Sequence, residues 1–357
     1  MKKNNFSGSV LLVAAVLFLH TAHAQDKTKP SLFDKDEILD ITLRGSLKEL
    51  LNNRSDQTPY HPLNLLYNNA DNTVQSIPVE AKTRGHSRKS MNGCSYPPLQ
   101  IHFINSDQQK NSMFSGQNKM KLVMPCQGEE YVVKEWLVYK LYNLFTPLSF
   151  KARLVRVKLE DPQKPKNIPP FYGIFLEEEK QVAKRNQLVN ITRNINPRAA
   201  DQEMFLLMAV FEYMIGNTDW SVQYQQNIKL MAKDSVSTPF TIPYDFDNSG
   251  IVSTPYGTPA EELELRSVRI RRYRGYCMAD MKVFDKTLAK FNSLKKEIYQ
   301  LYAGCTLLDA KSIKTTLQFL DDFYKTINDP VALKKDFLYP CDPNGTGNVV
   351  IKGLKGN

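Results

Sequence analysis

The sequence lacks several signatures that would assign it to a well-known class of site. No CxxC pair is present, which disfavours a zinc knot. Neither GxSxG nor HExxH occurs, and only three histidines follow residue 24, so a hydrolase is not expected. There is no GxGxxG loop, no recognisable nucleic-acid-binding module, no internal repeat and no apolar run long enough to cross a membrane. The composition that remains, 42% hydrophobic and 24% charged, is that of a globular protein.

The first residues resemble an export signal. Lys2 and Lys3 precede an apolar run over residues 10–19, and Ala22-His23-Ala24 is a small-x-small cleavage site. Gln25, where a lipoprotein would have cysteine, disfavours a lipid anchor. We therefore predict a cleaved signal peptide at residues 1–24, a polar leader at 25–37, and a periplasmic or extracellular protein. Loss of two lysines reduces the net charge from +10 (47 minus 37) to +8 (45 minus 37), a moderately basic balance.

The five cysteines all lie outside the predicted signal peptide, at positions 94, 126, 277, 305 and 341. In an exported protein such cysteines favour disulfides. Cys94 and Cys126 flank one predicted group of strands, so we pair them. Cys277 is then expected to pair with either Cys305 or Cys341, and the odd count leaves one free thiol.

Acidic residues follow predicted secondary structure in the stretch 211–250. A buried helix over residues 200–215 ends at Gly216, and strands are predicted over 227–231 and 240–244. The loops beside these elements carry Asp219, Asn227, Asp245 and Asp247. Two carboxylates and an amide close together are hard oxygen ligands for a divalent cation, and a further carboxylate can orient a nucleophile. The alternative is that Asp219 caps a loop and the other two acids end a strand without a metal.

Basic and acidic residues upstream could complete a nucleotide site. A basic loop over residues 82–89 contains Arg84, Gly85 and Ser87, which suit a phosphate group, although a solvated basic turn has the same composition. Lys121 lies on a predicted strand over 119–124, and Glu135 lies inside a predicted helix over 129–145. We predict that these two residues pair, with Lys119 and Glu130 as the competing choices.

Two further segments matter for the organisation of the chain. The apolar strand at 171–177 ends in Glu177 and is the natural bridge between two lobes, with a boundary near residues 178–187. Five arginines between positions 266 and 274 form a cluster that either recognises an acidic or phosphorylated peptide or remains a solvated charged surface.

The order of these motifs resembles the CotH family of atypical spore-coat protein kinases, and more distantly the HipA-type and secreted Golgi kinases. The resemblance is carried by RGHSRK at 84–89, KMKL at 119–122, FYGIFLEEEK at 171–180, GNTDW at 216–220, Asn227 and YDFD at 244–247. It implies an α+β, bilobal protein-kinase-like fold. A small β-rich N-lobe would span residues 38–180, a larger mainly helical C-lobe 181–339, and a flexible tail 340–357.

The same resemblance implies ATP and a Mg²⁺ or Mn²⁺ ion, and it assigns roles residue by residue. Asp219 would be the catalytic carboxylate, Asn227 and Asp245 would bind the metal, and Asp247 would be an auxiliary ligand. The nucleotide side would consist of Arg84, Gly85, Ser87, Lys121, Glu135 and Glu177. Asn227 lies eight residues after Asp219, where protein kinases have five, so either the extra residues loop out or Gln226 replaces Asn227 as ligand.

These observations favour a secreted phosphotransferase that modifies a Ser/Thr or sugar hydroxyl. Its partners would be a nucleotide and an exported protein or glycan, including an acidic one, without nucleic acid or a transmembrane segment. The alternatives are an inactive binding or surface-attachment protein and a glycosyltransferase that binds a nucleotide sugar through Asp245 and Asp247. Residues 245–250 also match half of an EF-hand loop, but position twelve is Tyr256 instead of glutamate.

Overall fold

The computed structural model of the chain describes residues 32–55, 57–85, 87–163 and 168–345. The predicted signal peptide, most of the polar leader and most of the predicted tail lie outside these ranges, as does the side chain of Ser87. No helix among the described residues combines the length and the apolar character needed to span a membrane.

The N-terminal half of the described chain is built around a closed β-barrel. Its strands are β1 (Leu39–Gly45), β2 (His61–Asn68), β3 (Val74–Thr83), β4 (Leu99–Phe103), β5 (Lys119–Val123), β6 (Ala152–Glu160) and β7 (Phe171–Leu176). Four helices lie between them: α1 (Leu47–Asn52), α2 (Ser87–Ser90), α3 (Asp107–Lys110) and α4 (Glu129–Asn143).

Strands β2, β3 and β4 alternate between buried and more exposed residues, as expected when one face of each strand lines a core. The inward side chains, including Leu65, Val79 and Ile101, form the apolar interior of the barrel. Strands β6 and β7 are buried on both faces because α4 packs against their outer side. Alternate residues of these strands, such as Val155 and Leu154, therefore enter two different cores.

The prediction of an α+β, bilobal protein-kinase-like fold with an N-lobe sheet is wrong. The seven strands close in the order β1-β2-β3-β4-β5-β7-β6, and the closing contact is a parallel pairing of β1 with β6, in which Leu39 faces Val155. All the other pairings in the barrel are antiparallel. Closure leaves no free sheet edge, since the first strand pairs with the sixth along the chain.

The C-terminal half combines a small sheet with helices. Its elements are α5 (Glu179–Arg185), β8 (Val189–Ile191), α6 (Gln202–Ile215), β9 (Ile228–Ala232), β10 (Phe240–Pro243), α7 (Asp285–Ser293), α8 (Lys295–Ala303), α9 (Ala310–Asn328) and α10 (Pro330–Phe337). The sheet order is β10-β9-β8 with antiparallel pairs. Helix α6 is buried along almost its whole length and shares one apolar cluster with α4. The predicted division at residues 38–180 and 181–339 stays a prediction, and this shared core crosses it.

Two disulfides tie loops to this framework. Cys94 is bonded to Cys126, as predicted, and Cys277 is bonded to Cys341, one of the two expected partners. Cys305 is the free cysteine. The first bond joins the segment after α2 to the turn between β5 and α4, which are the elements that carry Arg88, Lys121 and Glu135.

Candidate functional site

The loop that carries Asp219 begins where α6 ends. Gly216 adopts a left-handed conformation (φ 68°) at the helix C-cap, and a Cβ there would lie 3.2 Å from the Val268 carbonyl oxygen. The chain therefore turns sharply after the buried helix. The amide of Asp219 donates to the side chain of Asn217 at 3.0 Å, and the indole of Trp220 donates to the Asn217 carbonyl at 3.2 Å. These bonds fix the turn that connects the helix end to Asp219.

Neutral amides surround the Asp219 carboxylate. Oδ2 accepts hydrogen bonds from Asn248 at 2.9 Å and from Asn227 at 3.2 Å, and Oδ1 accepts one from Gln226. Burial raises the pKa of Asp219 above its usual range, although the Asn248 hydrogen bond opposes the shift. A carboxylate in this environment is ready to accept a hydrogen bond or a proton from a neighbouring hydroxyl.

The extra residues between Asp219 and Asn227 form a tight hairpin. Ser221 and Gln226 pair with two backbone hydrogen bonds of 3.0 Å, and Gln225 and Asn227 both have positive φ. The extra residues thus loop out, which is one of the two alternatives that the sequence left open. Both Gln226 and Asn227 still reach Asp219, so looping out does not remove either amide from the site.

Strand pairing brings the second acidic loop to the same place. Strands β9 and β10 are antiparallel neighbours, so the residue before β9 and the residue after β10 are adjacent, and the Tyr244 amide donates to the Asn227 carbonyl at 3.0 Å. Asp245 follows with a positive φ of 65°, and its amide donates to the hydroxyl of Tyr139 at 2.9 Å. Asn248, three residues on, reaches back to Asp219 and joins the two loops.

Cations hold the carboxylates of this second loop. Lys121 Nζ lies 2.8 Å from Asp245 Oδ1, and Arg88 Nη2 lies 2.8 Å from Asp247 Oδ2 and 3.9 Å from Asp245 Oδ1. Tyr256 adds a hydroxyl donor to Asp247 at 3.1 Å. Burial raises the pKa of Asp245, but the charges of Lys121 and Arg88 outweigh it and lower that pKa to about 2. The positive charge of Arg84 acts in the same direction.

Glu135 is buried behind this cluster and pairs with Arg88, whereas we had expected it to pair with Lys121. Its Oε2 lies 3.4 Å from Arg88 Nη2, and the residue is only 1% exposed. Burial raises the pKa of Glu135 to about 7, and the Arg88 charge opposes that shift. Lys121 and Glu135 therefore belong to two different ion pairs, Lys121–Asp245 and Arg88–Glu135. Arg88 lies near both pairs, since it is also 3.9 Å from Asp245.

The remaining nucleotide-side candidates lie in different environments. Arg84 donates to Gln100 at 3.1 Å, and Gly85 has a positive φ of 81° with open space where a Cβ would be. Ser87 is the first residue of α2, and its side chain lies outside the described residues. Glu177 is bonded to Arg185 and to the Lys151 amide, both at 2.9 Å, and makes no described hydrogen bond to the acidic loops.

Several residues of the site were not assigned from the sequence. Arg88 lies within the basic loop predicted at 82–89 but was not among the residues assigned to the nucleotide side, and it is a buried arginine close to three carboxylates. Asn248 and Tyr256 were treated as parts of an EF-hand-like loop, yet they bond to Asp219 and Asp247. Tyr139, on the same face of α4 as Glu135, was assigned no role, and its hydroxyl accepts a hydrogen bond from the Asp245 amide. The i to i+4 spacing of Glu135 and Tyr139 is the sequence signal that links them.

The donor atoms suit a hard divalent cation, in a site that would need further ligands from a substrate. Asp245 and Asp247 supply carboxylate oxygens, and Asn227 uses its amide nitrogen on Asp219, which leaves its amide oxygen for another partner. Among the described residues, no group of three or more His, Cys, Asp or Glu side chains is arranged to hold a metal ion. Magnesium is commonly bound by one or two carboxylates together with substrate phosphates, and this set fits that pattern.

One open cavity of the barrel half lies elsewhere. It has a volume of about 500 Å³ and is lined by residues of β1 and β2 and by Arg153. None of the predicted site residues lines it. The acidic loops are therefore singled out by the chemistry of their side chains.

Comparison with known proteins identifies no family for this chain. No family model matches the chain, and no curated protein matches it significantly. The fold is similar to the crystal structure of the proinflammatory kinase CtkA of Helicobacter pylori, with a TM-score of 0.38 and 12% sequence identity over 71% of this chain and 96% of that chain.

Proposed function

We propose that this protein is an exported, ATP- and metal-dependent phosphotransferase that acts on a protein Ser/Thr hydroxyl or on a sugar hydroxyl. The observation that carries the proposal is the pair of neighbouring acidic loops with different partners. Asp219 is held by neutral amides, and Asp245 and Asp247 are held by Lys121 and Arg88. The motif resemblance to CotH-type kinases agrees with these roles.

Asp219 is the proposed hydroxyl-orienting residue. Its carboxylate accepts only neutral amide hydrogen bonds among those described, so it keeps its capacity to accept a hydrogen bond from a hydroxyl. The acceptor oxygen forms a bond to the γ-phosphorus while the bond from that phosphorus to the β,γ-bridging oxygen breaks. ADP leaves, and Asp219 takes the proton of the hydroxyl.

The proposed phosphate-binding side of the site consists of cations near the second acidic loop. Lys121 projects from β5 and is 9% exposed, so its ammonium group is positioned by a rigid strand. Arg84 and Gly85 lie on the segment that follows β3, and the charge of Arg84 acts on Asp245, the partner of Lys121. A bound Mg²⁺ or Mn²⁺ would be held by Asp245, Asp247 and the Asn227 amide oxygen, and it would neutralise charge on the phosphates. Arg88 then keeps the metal-binding carboxylates and Glu135 together.

One observation favours a second candidate, a binding protein without catalysis. Asp245 and Asp247 already have short ion pairs to Lys121 and Arg88. If these pairs persist in the functional state, the loop binds an anionic ligand through its cations and needs no metal. This would suit a cell-envelope ligand or surface attachment.

Radiolabelled ATP with Mn²⁺ separates the two candidates. The purified chain lacking residues 1–24 is incubated with γ-labelled ATP, with and without chelator, beside Asp219→Ala, Asp245→Ala and the control Asp234→Ala. Asp234 is an exposed turn residue that bonds only to neighbouring backbone amides and the Ser237 side chain. We expect metal-dependent transfer that both site variants lose and the control keeps. Absence of any nucleotide-induced thermal shift, with either metal, would rule out the phosphotransferase.

A further inference from the structure

The arginines of the segment 266–274 were expected to face a peptide or solvent, but three of them contact the backbone of the candidate site. Arg269 donates to the Gly250 carbonyl at 3.3 Å, and Arg271 donates to the Met214 carbonyl at 3.1 Å. Arg274 donates to the carbonyls of Thr218 and Trp220. The segment therefore binds the end of α6 and the backbone of both acidic loops.

Arg274 differs from the other two because its contacts enclose Asp219. Thr218 precedes Asp219 in the chain and Trp220 follows it, and the bond to the Trp220 carbonyl is 2.7 Å long. The guanidinium also lies 5.5 Å from the centre of the Trp220 ring, a cation–π distance. A single side chain thus holds the peptide unit that precedes Asp219 and the peptide unit that follows Trp220.

The surroundings of Arg274 explain how a cation is accommodated there. Burial lowers the pKa of Arg274 to about 10, and the carboxyl groups of Asp219, Glu262 and Glu212 oppose that shift. Glu212 is fully buried on α6, and burial raises its pKa well above the usual range. Hydrogen bonds from a charged group to backbone carbonyls are stronger than neutral ones, so Arg274 can determine the conformation of this loop.

We propose that Arg274 is a positioning residue that holds the Asp219 loop in its observed conformation through the Thr218 and Trp220 carbonyls. The consequence for catalysis rests on the proposed phosphotransferase function, whereas the consequence for the loop does not. Arg271 provides a matched control. It also donates to a carbonyl at the end of α6 and stacks on an aromatic ring, Phe319, at 3.7 Å, but it has no described contact with residues 217–220.

The first measurement is hydrogen–deuterium exchange of the segment 217–220 in wild type, Arg274→Met, Arg274→Lys and Arg271→Met. The Asp219 amide is hydrogen-bonded to Asn217, so its exchange reports on the loop. Loss of two charge-assisted bonds should accelerate exchange by about tenfold or more in Arg274→Met, with partial recovery in Arg274→Lys. Arg271→Met should leave this segment within about twofold of wild type. Unchanged exchange in Arg274→Met would overturn the proposal.

The second measurement is steady-state kinetics of the same variants. A displaced Asp219 should lower kcat by about 100-fold in Arg274→Met with little change in KM for ATP, since the Lys121 side of the site is untouched. A rise in the KM for ATP with unchanged kcat would contradict the positioning role. If wild type transfers no phosphate, the proposed function fails, and the exchange experiment alone then decides whether Arg274 holds the loop.

Discussion

The loop that carries Asp219 and the loop that carries Asp245 and Asp247 lie side by side but hold their carboxylates with different partners. Asp219 accepts hydrogen bonds from Gln226, Asn227 and Asn248, all neutral amides. The second loop is paired with Lys121 and Arg88. Burial accordingly raises the pKa of Asp219, whereas the cations lower the pKa of Asp245 to about 2.

This difference shows how one site can give similar side chains different tasks. A buried carboxylate that has no cation among its described hydrogen-bond partners has a raised pKa, which suits the acceptance of a proton from a hydroxyl. A carboxylate beside cations stays ionised over the physiological range and suits charged ligands. The distinction arises from the neighbouring side chains, which are Arg88 on α2 and Lys121 on β5 for the second loop, and amides for Asp219.

The largest expected effect comes from removing the cation that serves both Glu135 and Asp247. Arg88→Met leaves two carboxylates without their arginine partner in a buried site, so the free energy of unfolding should fall by about 3–5 kcal/mol. Arg44→Met is the matched control, because Arg44 pairs with Glu160 at 2.7 Å on the surface, where its side chain is 47% exposed. That change should cost less than about 1 kcal/mol.

Urea denaturation of the two variants and wild type measures both values. Equal losses in Arg88→Met and Arg44→Met would show that the buried cluster is no more sensitive than a surface pair. The contrast between the cation-held and amide-held loops would then lose its energetic basis.

The second effect is a pH dependence contributed by Glu135. Its pKa is raised from 4.5 to about 7 in the folded protein, so the folded state binds more protons than the unfolded state between these pH values. Stability should therefore fall as pH rises through this window, by up to about 3 kcal/mol, and Glu135→Gln should remove that contribution. The measurement is the difference in unfolding free energy between wild type and variant at pH 4.5 and pH 7. Parallel pH profiles for the two proteins would contradict the burial argument.

A smaller effect is expected when one amide donor is removed from Asp219. Asn248→Ala deletes a 2.9 Å hydrogen bond to a carboxylate and should lower the free energy of unfolding by about 2 kcal/mol. Asn344→Ala is a suitable control, because Asn344 is exposed and its described bond uses only its backbone amide. Thermal unfolding of both variants provides the comparison. A loss in Asn248→Ala no larger than in the control would mean that the amides do not hold Asp219.

Local sequence patterns predicted much of the amide-held loop. Gly216 marked the end of the buried helix, and the apolar runs before and after the 232–239 turn predicted the paired strands that bring Asn227 and Asp245 together. The Cys94–Cys126 bond also followed from the positions of the cysteines and was confirmed. Each of these features depends on short-range signals, such as a left-handed cap or two adjacent strands.

The barrel and the ion pairs were not predictable in the same way. Closure depends on β1 pairing in parallel with β6, more than a hundred residues later, and alternation within each strand does not identify its partner. Lys121 was expected to pair with Glu135, but Asp245 lies closer, and Arg88 takes Glu135. The sequence does not show which cation pairs with which carboxylate, because the partners are brought together only by the fold.

Binding of ATP with Mn²⁺ to Asp219→Asn and Asp245→Asn, followed by calorimetry, tests the division of tasks most directly. If Asp219 orients the hydroxyl and the second loop binds the phosphates and metal, Asp219→Asn should bind with nearly wild-type affinity and lose phosphate transfer by about 100-fold or more. Asp245→Asn should lose the binding itself. Equal loss of binding in both variants, or full transfer by Asp219→Asn, would contradict the account.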